Sequence, residues 1–358
     1  MEKFTAIGIM SGSSLDGVDI ALCSFTLNHG KWSFEIKKAK TYPYSEVWKI
    51  KLQELPGRKK ADIASDDIEY GKLLGSLVHD FLKDTPEKPD LIASHGHTIF
   101  HEPEKGYTLQ IGDGQAIADT TGILTVSNFR QKDIDLGGQG APLVPIGDKL
   151  LFSNYDFCLN IGGIANISYE ENGQRVAFDI CPANQLLNYL SRQTGVPYDK
   201  GGAIAQLGKL DKKLFDQLNK DDYYRKEKPK SLSNQYVTGA FISRLELSDT
   251  PVEDKLYTVV KHIAWQIKQS IAHLPKGKLL ITGGGAHNHF LVKAIELETG
   301  MAAIVPGKEI VNFKEALIFA LMGVLRITNE NNCLASVTGA KKDSCCGDIH
   351  YPDDHKKT

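Results

Sequence analysis

The chain has 358 residues, 41% hydrophobic and 24% charged, with a formal net charge of -2 and a pI near 6.6. That length permits a sizeable core in about two domains, and the near-neutral balance excludes a global basic field for nucleic acid or an anionic membrane surface. No stretch reaches the roughly 18 uninterrupted apolar residues of a membrane helix, and the run from Phe4 to Met10 is too short for a signal core. A soluble, cytoplasmic protein with neither membrane nor nucleic-acid partners is expected.

Alternation and β-branched residues predict strands at Phe4 to Met10, Val18 to Phe25 and Trp32 to Tyr42, joined by turns at SGSSLDG and at Asn28, His29 and Gly30. A helical period follows from Ile63 to Leu82, with Ile68, Leu73, Leu74, Leu77, Val78 and Phe81 on one side, then a short buried strand at Asp90 to Ser94. The same β-β-β-α order begins again with Phe157 to Ile161, the loop GGIAN, Ile167 to Tyr169, a turn at Glu171 to Gly173, Val176 to Ile180, and a helix from Ala183 to Arg192. One topology is written twice, although the side chains of the two copies barely match. Helical segments are expected around Asp199 to Leu218, Tyr236 to Leu245 and Val252 to Leu274. KLLITGGGAHNHFL reads as strand, glycine turn and helix start, and a last helix runs from Phe313 to Ile327. The lysine-rich segment Lys220 to Lys230 reads as a solvated surface loop.

Six cysteines (Cys23, Cys158, Cys181, Cys333, Cys345 and Cys346) form no CxxC pair and suit a reducing compartment; vicinal Cys345 and Cys346 read as inert thiols in a polar tail.

Glycine and serine between two strands can turn successive N–H groups toward phosphate oxygens. Ser11 to Asp19, SGSSLDGVD, has that chemistry, and Asp16 and Asp19 beside polyphosphate would call for a hard cation such as Mg2+. The competing reading is a tight turn with ordinary Asx bonding. NIGGIAN from Asn160 to Asn166 repeats the device, and TGGGAHN from Thr282 to Asn288 sits between a strand and a helix, where glycines make room for a base or ribose. Three such loops, two in equivalent positions of a repeated topology, are hard to explain as turns alone.

The paired lobes with phosphate-1, phosphate-2 and adenosine loops resemble the actin, Hsp70 and sugar-kinase superfamily. Within it, GIMSGSSLDGVDIAL, ASHGHTIFHEP, LQIGDGQAIA, FRQKDIDLGGQGAPLVP, LNIGGIANIS, DKGGAIA, TGGGAHN and KEALIFALMG, in this order and closing with SVTGA and GDIHYP, are similar to the anhydro-N-acetylmuramic acid kinases. The resemblance implies an α/β, two-lobed actin-like (ribonuclease H-like) ATPase fold with an interlobe cleft. Residues 1–128 would form the N-terminal lobe and 129–358 the C-terminal lobe, with helix 313–327 packing back toward the first.

It also implies a reaction in which water opens the 1,6-anhydro bridge of the sugar while O6 takes the γ-phosphate of ATP. The family's DTGPGN phrase reads DICPAN here, Asp179 to Asn184, so Asp179 aligns as the base, with Cys181 and Ala183 in place of glycines. Without the resemblance, Asp179 followed by Pro182 reads as a helix N-cap.

The nucleotide contacts implied are Ser11, Gly12, Ser13, Ser14, Leu15, Asp16, Gly17, Val18 and Asp19, then Gly162 and Gly163, then Gly283, Gly284, Gly285 and Asn288. Asp16 and Asp19 would hold Mg2+. The sugar contacts implied are His95, Arg130, Asn184 and Glu315. Arg130 offers a bidentate fork for a carboxylate, against a structural ion pair with Asp133 or Asp135, and the family's usual DFR reads Asn128, Phe129, Arg130 after Ser127. Glu315 would place substrate or serve as a first-turn acid. His95, His97 and His101 have a spacing that could suggest zinc, but the family's glutamine at position 97 and the lack of a completing ligand argue against it. A homodimer is compatible with the family. A kinase for a related amino sugar or hexose, or a non-catalytic nucleotide-switched binding protein, would use the same fold.

Overall fold

The computed structural model describes residues 1–12, 15–58 and 63–353, and divides into two compact units, Met1–Leu151 with the chain from Phe313 onward, and Phe152–Asn312. The boundary expected at 128/129 therefore moves to 151/152. The physical reason is that residues 129–151 are bonded within the first unit: Arg130 to His95, Asp133 to Thr338, and Asp148 to Lys314 at 2.6 Å.

The first unit begins with β1 (Glu2–Ser11), β2 (Gly17–Asn28) and β3 (Lys31–Pro43), an antiparallel meander in the register Gly8 to Ala21 and Asp19 to Thr41. Helices α1 (Glu46–Glu54) and α2 (Ala64–Leu82) lead to β4 (Leu91–Glu102), which pairs parallel to β1 and turns back into β5 (Tyr107–Ile111). Helix α3 (Gly114–Thr121) and β6 (Thr125–Ser127) follow, then α4 (Gln131–Asp135) and α5 (Pro145–Leu151). The sheet order is β12-β6-β4-β1-β2-β3 with β5 on β4, β12 being Asp348–His350 near the C-terminus. The strand expected at Asp90 to Ser94 is thus a longer strand with its own hairpin. Alternation explains the two faces of β1. Ile7 and Ile9 enter a core with Leu74, Val78 and Phe81 of α2, whereas Gly8 faces the other way, and a Cβ there would collide with the main chain of Ala316.

The second unit repeats the plan with β7 (Phe157–Ile161), β8 (Ile164–Glu171), β9 (Gln174–Pro182), α6 (Asn184–Arg192), α7 (Lys212–Asn219), α8 (Val252–Ile271), β10 (Leu279–Thr282), α9 (His289–Thr299) and β11 (Ala303–Ile304), in the order β11-β10-β7-β8-β9. Counted from the meander edge, the first sheet runs β3-β2-β1-β4-β6-β12 and the second β9-β8-β7-β10-β11, so in both the returning parallel strands add beside the first strand of the meander. Helix α8 carries acids in its first turn and buries Leu256, Val259, Val260, Ile263, Ile267 and Ile271, an i, i+3, i+4, i+7 stripe; each fully buried aliphatic side chain stabilises the fold by about 1.5–3 kcal/mol. The expected helix over Asp199 to Leu218 is broken instead. Short 3-10 turns at Lys200–Gly202 and Ala205–Leu207 precede α7, because Gly201 and Gly202 take positive φ. The last long helix, α10 (Lys308–Ile327), starts five residues earlier than expected, at Lys308 rather than Phe313.

Candidate active site

In the first unit, Ser11 ends β1 and is buried. Its hydroxyl lies 2.8 Å from His97 Nδ1 and 2.5 Å from the Tyr44 hydroxyl, which lies 2.5 Å from that of Tyr70. Four side chains from β1, β4, α2 and the end of the meander therefore lock the start of the loop. Burial holds the His97 imidazole down to about 4, so it is neutral at physiological pH. Ser13 and Ser14 lie outside the described residues; Gly12 is half-buried, and Leu15 takes a positive φ of 59°. Gly17 has no room for a side chain against the Tyr42 carbonyl, and Val18 points into the core. Asp16 is exposed. Asp19 accepts a 2.6 Å bond from Thr41, its partner across the hairpin, and its carboxyl is pushed up first by burial, with the Asp16 charge adding to the effect. Two oxygen-donor carboxylates that repel one another suit a hard divalent cation. Among the described residues no three His, Cys, Asp or Glu side chains converge as a metal cluster.

The proposed sugar residues of this unit gather around Arg130. Its Nε and Nη2 approach His95 Nε2 at 3.0 and 2.8 Å, and Nη1 donates to the Gly140 carbonyl at 2.6 Å. His95 Nδ1 donates to the Gly96 carbonyl, so both ring nitrogens are engaged, and burial holds the ring neutral. Asp133 is not the partner of Arg130; it accepts from Gly140 N and from the Thr338 hydroxyl. Glu315 lies in the third turn of α10, whose first-turn acid is Glu309, so the reading of Glu315 as a helix-opening acid does not hold. Burial pushes its carboxyl up, opposed by Lys314 and Arg130. His101 bonds Thr108. Asn128 takes a φ of 56°, which asparagine tolerates well, and donates to Asp348 at 2.7 Å. A polar cavity of about 270 Å³ opens beside these groups, lined by His95, Gly96, Gln110, Asp113, Asn128 and His350 among others.

In the second unit the glycine loops close on the end of β7. The loop between β7 and β8 is only Gly162 and Gly163, since Ile164 to Asn166 already belong to β8. Gly163 O accepts from Ala183 N at 2.8 Å, and Gly162 O from Asn184 N at 3.1 Å. Gly283 takes a φ of 79° against Asn160 and Ile161, and a Cβ on Gly285 would strike the Ile161 side chain. The Asn184 amide donates to Ile161 O at 3.2 Å and borders Gly284. Asn288 caps α9, accepting from Leu291 N.

Asp179 belongs to β9 itself. The N-cap of α6 is Ala183, with no side-chain bond, so the capping reading of Asp179 is set aside. Its Oδ2 accepts one bond, 2.9 Å, from Leu232 N–H, and burial pushes the carboxyl up to about 6. Neither Cys181 nor Ala183, which replace the family's glycines, takes a positive φ, and both are buried. The surface loop expected over Lys220 to Lys230 is exposed along most of its length, but Asp221 and Tyr223 are buried. Tyr223 is buried and its hydroxyl donates to Asp179 O at 2.6 Å, while Asp179 N donates to Lys230 O at 3.0 Å, because aromatic stems and lysine alkyl chains pack where only the charge was legible. A larger cavity of about 600 Å³ beside Lys213 and Arg244 contains none of the loop residues, and its arginine is committed to Asp221 at 2.7 Å.

A three-stranded meander with parallel strands added beside its first strand, occurring twice, with a glycine-bearing turn after the first strand of each copy, defines the duplicated α/β fold of the actin and sugar-kinase class. The model of the family "Anhydro-N-acetylmuramic acid kinase" matches residues 4–352, and the chain belongs to that family. Proteins of that name from Gloeobacter violaceus (33% identical, covering 98% of this chain and 99% of the relative) and from a Sulfurovum species (34% identical, 98% and 100%) are among its relatives. The relative from Vibrio cholerae is 33% identical, covering 98% of this chain and all of its own.

Proposed function

We propose that the protein is an ATP-dependent kinase that opens 1,6-anhydro-N-acetylmuramic acid with water and phosphorylates O6, giving N-acetylmuramate 6-phosphate and ADP in cell-wall recycling. The observation that carries the chemistry is Asp179, a carboxylate with one oxygen held by a backbone N–H and a pKa raised to about 6. Such a group is ionised at neutral pH yet basic enough to take a proton from water. In the proposed step the water proton passes to Asp179 as its oxygen bonds to C1. The C1–O6 bond breaks toward O6, O6 attacks phosphorus, and the bond to ADP breaks.

The backbone of Gly162, Gly163 and Gly283 to Gly285 would approach the nucleotide, and Ser11 to Asp19 its phosphates, with Asp16 and Asp19 holding Mg2+. When bound, Mg2+ would neutralise charge on the phosphate oxygens. Arg130 and Glu315 would orient the sugar in the first unit and Asn184 in the second. Six free cysteines suit a reducing cytoplasm, and among the described residues no helix is long and apolar enough to cross a membrane. ATP and the anhydrosugar would be its partners, with a homodimer compatible. The test is to supply the anhydrosugar with Mg-ATP and follow the 6-phosphorylated product; clean ATP binding without turnover, or turnover of an unbridged hexosamine alone, would replace this substrate.

A further inference from the structure

The segment between α7 and the helical run at Asn234–Glu246 supplies more to Asp179 than the one N–H donor on its carboxylate. Asp179 N donates to Lys230 O at 3.0 Å, Asp179 O accepts from the Tyr223 hydroxyl at 2.6 Å, and Asp179 Oδ2 accepts from Leu232 N at 2.9 Å. Main-chain donor, main-chain acceptor and carboxylate are thus all held by one strap. The strap is itself tied down. Asp221 accepts from Tyr223 N at 3.0 Å and from the Tyr236 hydroxyl at 2.7 Å, and pairs with Arg244. The Lys230 ammonium reaches the carbonyls of Tyr223 and Tyr224 and lies 4.7 Å from the Tyr223 ring centroid.

We propose that Tyr223 is a positioning residue for Asp179: its hydroxyl pins the β9 main chain to the strap, so that the Leu232 N–H stays on one carboxylate oxygen and the other is left to take the proton. The inference rests on the assignment of Asp179 as the base and adds how that base is aimed. The titratable groups facing Asp179 are the Cys181 thiol on its own strand, kept protonated by burial, and the Tyr223 phenol of the strap, while the Lys230 ammonium is turned to the Tyr223 and Tyr224 carbonyls. None of these becomes an anion near neutral pH, so among the groups packed against Asp179 only its own carboxyl titrates on the acid side of neutrality. Because a single donor favours the ionised carboxylate, loosening that donor while the aromatic ring still excludes water moves the carboxyl further up.

The test is Tyr223→Phe, which keeps the ring and removes the hydroxyl, with Tyr224→Phe as the control, since the Tyr224 hydroxyl bonds His262 rather than β9. Tyr223→Phe is expected to lower kcat about tenfold, a fraction of what general-base catalysis supplies, to leave KM for ATP within about twofold, and to move the acid limb of kcat upward. Tyr224→Phe is expected to lower the melting temperature without moving that limb. In parallel, the Asp179 carboxyl carbon is titrated by NMR in carbon-13-labelled protein, a readout that needs no turnover. An upward midpoint in Tyr223→Phe alone supports the strap. An unmoved or lowered midpoint, or the same shift in both variants, overturns it. Failure of the wild-type protein to turn over the anhydrosugar would strike the functional reading but leave this titration standing.

Discussion

The two meanders share a topology and divide the chemistry. In the first unit the turn after β1 is anchored by side chains, Ser11, His97, Tyr44 and Tyr70, all buried and all oxygen or nitrogen groups. In the second the turn after β7 is anchored by backbone, with Gly162 and Gly163 accepting from Ala183 and Asn184 and with glycines at 283 and 285 pressed against Ile161. A hydroxyl network holds a loop that carries two acids, the exposed Asp16 and the half-buried Asp19. In the second unit burial raises the carboxyl of Asp179. Duplication supplied the scaffold, and the packing around each turn set what it can do.

Removing the base breaks the comparison hardest. Asp179→Asn is expected to lose on the order of 10²–10⁴ in kcat while ATP binding by calorimetry is retained; wild-type turnover in this variant would end the assignment. Next is the backbone-anchored turn. Gly285→Val forces the loop away from Ile161 and is expected to weaken ATP binding about tenfold, roughly 1.4 kcal/mol, whereas unchanged affinity would remove that loop from the nucleotide site.

A smaller effect follows from linkage. The folded Asp179 carboxyl titrates near 6 against an ordinary value near 3.8, so the folded state binds more protons between those pH values and stability falls as pH rises through them. Asp179→Asn should therefore melt higher than wild type at pH 8 and no higher at pH 4. Its amide oxygen can still accept from Leu232 N–H, so the gain is the relief of a buried charge. The smallest effect belongs to the first turn. His97 titrates near 4 against 6.5, so the unfolded chain binds more protons in that window and stability falls as pH drops through it. His97→Gln should flatten the decline in melting temperature between pH 7 and pH 5 only in part, because His95 and His262 are also held neutral by burial.

Much of the architecture was legible in the chain. The strands at Phe4 to Met10 and Val176 to Ile180, the helix over Ile63 to Leu82 and the glycine turn at Thr282 all sit where alternation, the helical period and glycine placed them, because each is a local pattern. Long ordered phrases carried the family. Thr41 beside Asp19 was not legible in this way, because counting back from the Asn28–Lys31 pair of the second hairpin reaches Lys40 and a register shift at Leu22 and Cys23 brings Thr41 there instead. What the chain concealed depends on contacts distant in sequence. Asp348 stands beside Asn128 across 220 positions, and Tyr223 reaches β9 across 44.

The identity of the acid at 179 and the phrase around it could be read directly, since both are written in consecutive residues. Its pKa, its single donor and the strap that holds it were decided only by folding. A carboxylate's ionisation depends on how much water the tertiary structure removes and on which N–H it brings near, and residues 221–232 supply both from a segment that by composition alone is a run of charge.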